Sequence, residues 1–185
     1  MVNFARLTLL VLVLLSLSAL VVVGSSPQAT RSQTGKLLQL TGEVTVNGAR
    51  AITNATVSSD SAITTGQNSS AVVSLGKLGR VEVLPQTTMK LSFADDSVSV
   101  EMLDAGRVRI SSSSGVNASA TTNDGHVIAT DRQRNEFIVD TSCGNTFVSV
   151  KKGRVELRAG ETFKQIAAGN QDTAGQARPG CTPAP

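Results

Sequence analysis

Two hydrophobic patterns divide the chain. Between Leu7 and Val23 apolar residues follow one another without a period: 14 of the 17 positions are apolar and none is charged. Arg6 and the α-amino group precede this run, and Gly24-Ser25-Ser26-Pro27 follows it. A positive end leading into an uncharged apolar run is the pattern of an export signal. Its length falls between the shorter core of a signal peptide and the ~20 residues of a spanning helix. Val22-Val23-Gly24 offers small residues for cleavage after Gly24, and a retained single anchor is the favoured reading. Residues 1–24 are thus read as a signal peptide or signal anchor forming one hydrophobic helix, and residues 25–36 as a linker.

From Leu37 the period becomes two. Val44 and Val46 alternate with polar residues before the turn signal Asn47-Gly48. Ala71, Val73 and Leu75 follow, then Val81 and Val83, Leu91 and Phe93, and Val98, Val100 and Met102. After Val108 and Ile110 comes a loop from Ser111 to Gly115. Val127 and Ala129, Phe137 and Val139, Val148 and Val150, and Val155 and Leu157 complete the series. Alternation between Gly, Asn and Asp punctuation predicts an all-β fold of many short strands, in a compact sandwich or a solenoid-like stack over residues 37–168. Residues 169–185 hold three of the five prolines and no apolar run, so an irregular tail is expected there.

Composition narrows the chemistry. Ser and Thr supply 40 of 185 residues, which suits strands and turns. Tyr and Trp are absent and Phe numbers 5, too few for base-stacking surfaces. The net charge of +3 is small and dispersed, so nucleic acid is not an expected partner. One His and two distant Cys leave little for a transition-metal site, and no cofactor is expected. In an oxidising compartment Cys143 and Cys181 would pair and hold the tail, with two free thiols as the alternative. No Cys-x-x-Cys spacing suggests redox chemistry.

The order of the strand motifs carries a resemblance. It runs from Gly42-Glu-Val44-Thr-Val46-Asn47-Gly48 through Ile63-Thr-Thr65-Gly66-Gln-Asn68-Ser69-Ser-Ala71 to Gly79-Arg-Val81-Glu-Val83-Leu-Pro85. Val100-Glu-Met-Leu103-Asp-Ala-Gly106-Arg107-Val108, Asn145-Thr-Phe-Val148-Ser-Val150 and Gly153-Arg-Val155-Glu-Leu157 continue it, ending at Ala159-Gly160-Glu161. Over residues 37–168 this resembles the FecR-type periplasmic domain of bacterial signalling proteins. Gly66, Gly79, Gly106 and Gly153 fall where tight turns call for positive φ. The resemblance implies an exported signalling or protein-interaction module. Founding members of the family place a cytoplasmic anti-sigma segment before the membrane helix, whereas six residues precede the apolar run here. A short form lacking that segment is the expectation. Asp131 to Glu136 is also more polar than the family's phrasing before its Phe strand.

Individual candidates are weighed against plainer roles. His126, the only histidine, could report pH but reads as structural. Asp95-Asp96 lacks the oxygen spacing of a calcium loop and reads as a solvated turn. Ser111 to Ser114 has no nucleophile elbow and no histidine partner, so a loop is expected. Asn54, Asn68 and Asn117 open Asn-x-Ser/Thr sequons that this composition yields by chance. Arg132 and Arg134, among mixed charges, are the candidate partner contacts, with Lys151-Lys152 a similar solvated pair.

No nucleophile–base pair can be assembled, so the chain is expected not to be an enzyme. The expected role is a FecR-like envelope module, periplasmic and anchored in the inner membrane by residues 7–23, with a protein partner. The alternative is a membrane-anchored β-jelly-roll carrier of lipid or lipopolysaccharide, which requires an apolar groove between sheets.

Overall fold

The computed structural model describes residues 33–130 and 133–183. The expected N-terminal helix over residues 7–23, and Arg132, lie outside the described residues. Among the described residues no helix is long and apolar enough to cross a membrane.

The strands are, in chain order, β1 (Thr34–Thr41), β2 (Val44–Val46), β3 (Ala49–Arg50), β4 (Thr56–Ser58), β5 (Ser61–Thr65), β6 (Ser70–Ser74), β7 (Gly79–Val83), β8 (Thr87–Ala94) and β9 (Ser97–Met102). Then come β10 (Arg107–Ser112), β11 (Asn117–Thr121), β12 (His126–Ala129), β13 (Asn135–Asp140), β14 (Thr146–Lys152), β15 (Arg154–Ala159), β16 (Thr162–Ala167) and β17 (Gln171–Ala174). They form two sheets. One is ordered β17-β14-β13-β10-β7-β6-β1-β4, the other β16-β15-β12-β11-β9-β8-β5-β2-β3. The chain lays hairpins in the two sheets by turns: β6–β7 in the first, β8–β9 in the second, later β13–β14 and β15–β16. The pair β9–β11 is parallel, because β10 crosses to the other sheet between them.

Side-chain alternation explains the pairing of the sheets. In β8 every second residue, Thr87, Met89, Leu91 and Phe93, is buried while its neighbours are half-buried or exposed. In β7 and β10, Val81, Val83, Val108 and Ile110 show no exposure at all. These inward rows form one hydrophobic cluster drawn from both sheets. Burying a Val, Leu or Phe side chain contributes about 1.5–3 kcal/mol, so dozens of modest side chains replace the few large aromatics that the chain lacks. The architecture is therefore a two-sheet sandwich.

Several boundaries differ from the sequence reading. β1 begins at Thr34, within the stretch read as linker, since Gly35 and Lys36 already pair with β4. β10 takes in Ser111 and Ser112, so the loop begins only at Ser113. Residues 169–185 contain a strand: β17 pairs with β14 through backbone bonds that need no apolar side chains. Of the four glycines expected at positive φ, Gly79 (128°) and Gly153 (82°) have it, and Gly66 and Gly106 do not. Gly106 is needed for closeness instead, since a Cβ there would lie 2.7 Å from Thr87 Cα.

Two contacts secure the C-terminal edges. Lys164 Nζ on β16 donates to Asp172 Oδ1 (2.7 Å) and to the Thr173 carbonyl (3.0 Å) on β17, tying the edge strands of both sheets together. Cys143 and Cys181 are joined by a disulfide. The Arg178 N–H donates to the Cys143 carbonyl (2.9 Å), so the tail lies against the β13–β14 turn.

Two outcomes follow. Replacing Cys181 with Ser opens a bridge of sequence separation 38 and should lower unfolding free energy by about 4 kcal/mol in the chain-entropy account. Urea denaturation of Cys181→Ser, compared with the wild type with and without reductant, measures this. The Asp172 carboxyl is held below its ordinary 3.8, chiefly by the Lys164 hydrogen bond, against desolvation and with help from the Thr173 N–H. A depressed folded-state value stabilises the β16–β17 tie above that ordinary range and withdraws the support as pH falls through it. Amide protection factors in β17 should therefore drop in acid, and drop less in Lys164→Met, where the tie is already missing.

Candidate functional site

Strand register alone builds a polar row across the outer face of the eight-stranded sheet. Ser74 on β6 faces Arg80 on β7, and Arg80 faces Ser111 on β10. Ser111 in turn faces Glu136 on β13, and Glu136 faces Lys152 on β14. Adjacent strands lie about 4.8 Å apart, so the row is a short line of hydroxyls and charges that ends in a Glu–Lys pair. Beside it opens a cleft of about 430 Å³ in which Arg80, Ser111, Ser112, Arg134 and Lys152 share the lining. The cleft brings together two features that the sequence leaves apart, the serine run and Arg134.

The backbone around it is held firmly. Gly79 sits at φ 128°, and a Cβ there would come within 2.0 Å of the Ser111 carbonyl oxygen. Only glycine lets β7 start this close to β10. The Leu75 N–H donates to the Gly79 carbonyl (2.9 Å), and the Ser113 N–H to the Leu78 carbonyl (3.0 Å). On the far side Asn135, fully buried, donates through Nδ2 to the carbonyls of Thr130 (2.6 Å) and Gln133 (2.9 Å) and accepts from the Arg154 N–H (3.1 Å). Those bonds fix the segment that presents Arg134.

The electrostatics are uneven. Glu136 is paired with Lys151 (3.3 Å) and Lys152 (3.8 Å). Neither Arg80 nor Arg134 has a carboxylate partner among the described residues. Ser111 Oγ and Ser112 Oγ are buried with no hydrogen-bond partner, and Ser112 as a residue is 2% exposed. One row away, Arg109 and Glu82 close their own ion pair at 2.5 Å.

A second concave region lies at the turns carrying the disulfide. Two clefts of about 370 and 470 Å³ share Ala105 and Arg178. Hydroxyls tie these turns together: Thr65 Oγ1 donates to the Leu84 carbonyl (2.6 Å), and Thr87 Oγ1 accepts from the Arg107 N–H (2.8 Å). The buried Asp140 accepts from the Ser142 N–H (2.8 Å) and lies 3.7 Å from Arg107.

The remaining sequence candidates stay apart. His126 starts β12 opposite Arg158 on the outer face of the other sheet. Asp95 accepts from Gln33 Nε2 (2.6 Å), and the Asp96 carbonyl accepts from the Asn117 N–H (2.8 Å), within an exposed turn. Asn54 and Asn68 occupy positive-φ turn positions. Among the described residues no cluster of His, Cys, Asp and Glu could hold a metal ion. What the sequence did not signal is Arg80, which reads as one polar residue in an alternating strand until the register sets it opposite Ser111.

No protein-family model and no curated protein matches this chain. Among solved structures, the fold is similar to that of a candidate anti-sigma factor from Parabacteroides distasonis, in crystal structures at 2.50 and 1.65 Å resolution. In both the TM-score is 0.50 at 22% identity, covering 60% of this chain and 53% of that one. The likeness concerns the fold, and it spans about half the length of that protein.

Asn135→Leu removes all three side-chain bonds at a buried position and strands the Arg154 N–H and the Thr130 carbonyl. Unfolding free energy is expected to fall by about 2–4 kcal/mol. Chemical denaturation with an unchanged m-value checks this, and exchange protection should be lost first around Arg134.

Proposed function

We propose that this chain is a non-enzymatic, exported, FecR-like module of the cell envelope that works by contacting another protein in a signalling pathway. The observation that carries the reading is the likeness of the fold, over 60% of the chain, to that of a candidate anti-sigma factor. The order of strand motifs over residues 37–168 adds to it. A disulfide between Cys143 and Cys181 fits an oxidising compartment such as the periplasm. The apolar run of residues 7–23 supplies the inner-membrane anchor in this proposal, leaving the sandwich outside the membrane. The cleft around Ser111, Arg80 and Arg134 and the unpaired outer edges of β16 and β4 are the surfaces offered to a partner.

The carrier reading has weaker support. It needs an apolar groove between the sheets, and the inward residues of both sheets pack against one another, with Leu37, Ile63, Met89, Leu91, Ile110 and Phe137 at 0% exposure.

In-cell crosslinking of the tagged full-length chain, followed by mass spectrometry of the membrane fraction, is expected to recover a defined envelope protein. Recovery of copurifying lipid with no protein would overturn the proposal in favour of the carrier.

A further inference from the structure

The serine–arginine cleft has a chemistry that protein contact does not require. We propose that it binds a phosphate-type oxyanion, a phosphate monoester whose organic part lies toward Leu38. This inference goes beyond the signalling reading, giving a small ligand to one of the surfaces that reading offers to a partner.

Three observations carry it. Charge is the first. Arg80, Arg134 and Lys152 line the cleft against one carboxylate, Glu136, which Lys151 and Lys152 already neutralise. The two guanidinium groups are left without a carboxylate among the described residues, and each presents a planar fork of donors suited to oxyanions.

An unpaired hydroxyl is the second. Ser111 stands on the cleft's face of β10 and its Oγ is buried without a partner, whereas Ser112, next along the strand, turns toward the core. Leaving such a group unpaired costs about 1–3 kcal/mol, so a folded protein retains it where something else completes the bond. An oxyanion accepts from hydroxyl and guanidinium alike. One hydroxyl on β10 and two guanidinium forks, on β7 and just before β13, offer more donors than the two coplanar oxygens of a carboxylate can use and suit the several oxygens of a tetrahedral anion.

Shape is the third. Gly76 (φ 60°) lines the cleft with open space where a Cβ would stand, so a ligand can approach the main chain closely there. The volume of about 430 Å³ exceeds what a bare anion fills. Leu38 also lines the cleft and is 48% exposed, one of the few large apolar side chains on the surface, and it gives an organic substituent something to lie against.

The test uses the full-length chain labelled with ¹⁵N, titrated with inorganic phosphate, glycerol 3-phosphate and dihexanoyl phosphatidic acid below its micelle concentration. The proposal expects saturable shifts at Gly79, Ser111, Ser112, Ser113 and Arg134. It also expects affinity to fall about tenfold in Arg80→Ala and in Ser111→Ala, and to weaken with salt. Both variants alter residues outside the large apolar core, and thermal melts confirm that they remain folded. If the lipid analogue binds more tightly than glycerol 3-phosphate and Leu38→Ser removes the difference, the source is a lipid headgroup. Equal binding of the two identifies a soluble phosphate ester. Any one of four results overturns the proposal: no shifts at millimolar phosphate, shifts that persist unchanged in Arg80→Ala, an equal response to acetate, or displacement of phosphate by an acidic peptide of higher affinity.

Discussion

The inward side chains of the two sheets hold this protein together by covering one another, and few among the described ones are large. Val, Ile, Leu, Met and Ala supply nearly all of the buried apolar surface, helped by three buried phenylalanines. A sheet built from such residues cannot shield its own apolar face from water, so neither sheet is stable without the other. The chain enforces the partnership by delivering hairpins to the two sheets alternately. Shifting any inner strand by one residue would turn its valines outward and its serines and charges inward. Register is thereby fixed across the whole sandwich.

Fixed register on the inside determines what stands on the outside. Once Val81 and Ile110 face the core as neighbours, Arg80 and Ser111 must be neighbours on the solvent face. The polar row that crosses β6, β7, β10, β13 and β14 is thus a by-product of core packing. Evolution can alter its side chains without disturbing the fold beneath. Loops contribute through Asn135 and Gly79, which bring Arg134 and the β7–β10 approach into position. A rigid scaffold with an adjustable outer face is well suited to recognition, because binding then loses little entropy to ordering the site.

Much of this was legible in the chain and some was not, for physical reasons. Strands whose inward residues are Val, Ile, Leu or Phe, such as β7, β8 and β14, declare themselves by alternation. β11 reads Asn-Ala-Ser-Ala-Thr and buries only Ala118 and Ala120, so its period is present with almost no amplitude. β17 reads Gln-Asp-Thr-Ala and exists through its backbone bonds to β14. The disulfide could be argued from two cysteines and an export signal. The cleft could not be argued at all. Its serines and Arg134 stood out separately, but Arg80 joins them only through pairings between strands distant in sequence. Gly106 was noticed for its turn, and what matters there is the approach of Thr87.

The arrangement of strands also sets the order in which the molecule can form. β1 pairs with β4 and β6, at separations in sequence no shorter overall than that of β14 and β17, so the start of the domain can organise once β6 has been made. The other end is different. β14 completes its second edge only when β17 arrives, and Cys143 can find Cys181 only after nearly the whole domain has been synthesised. Until then β14 presents an open edge to any other strand in the vicinity. Strand pairing at such separations, which both ends share, closes slowly, in milliseconds to seconds, compared with helical domains. The last dozen residues therefore act as a latch on folding, and the interval before they close is when the chain is most open to misassembly.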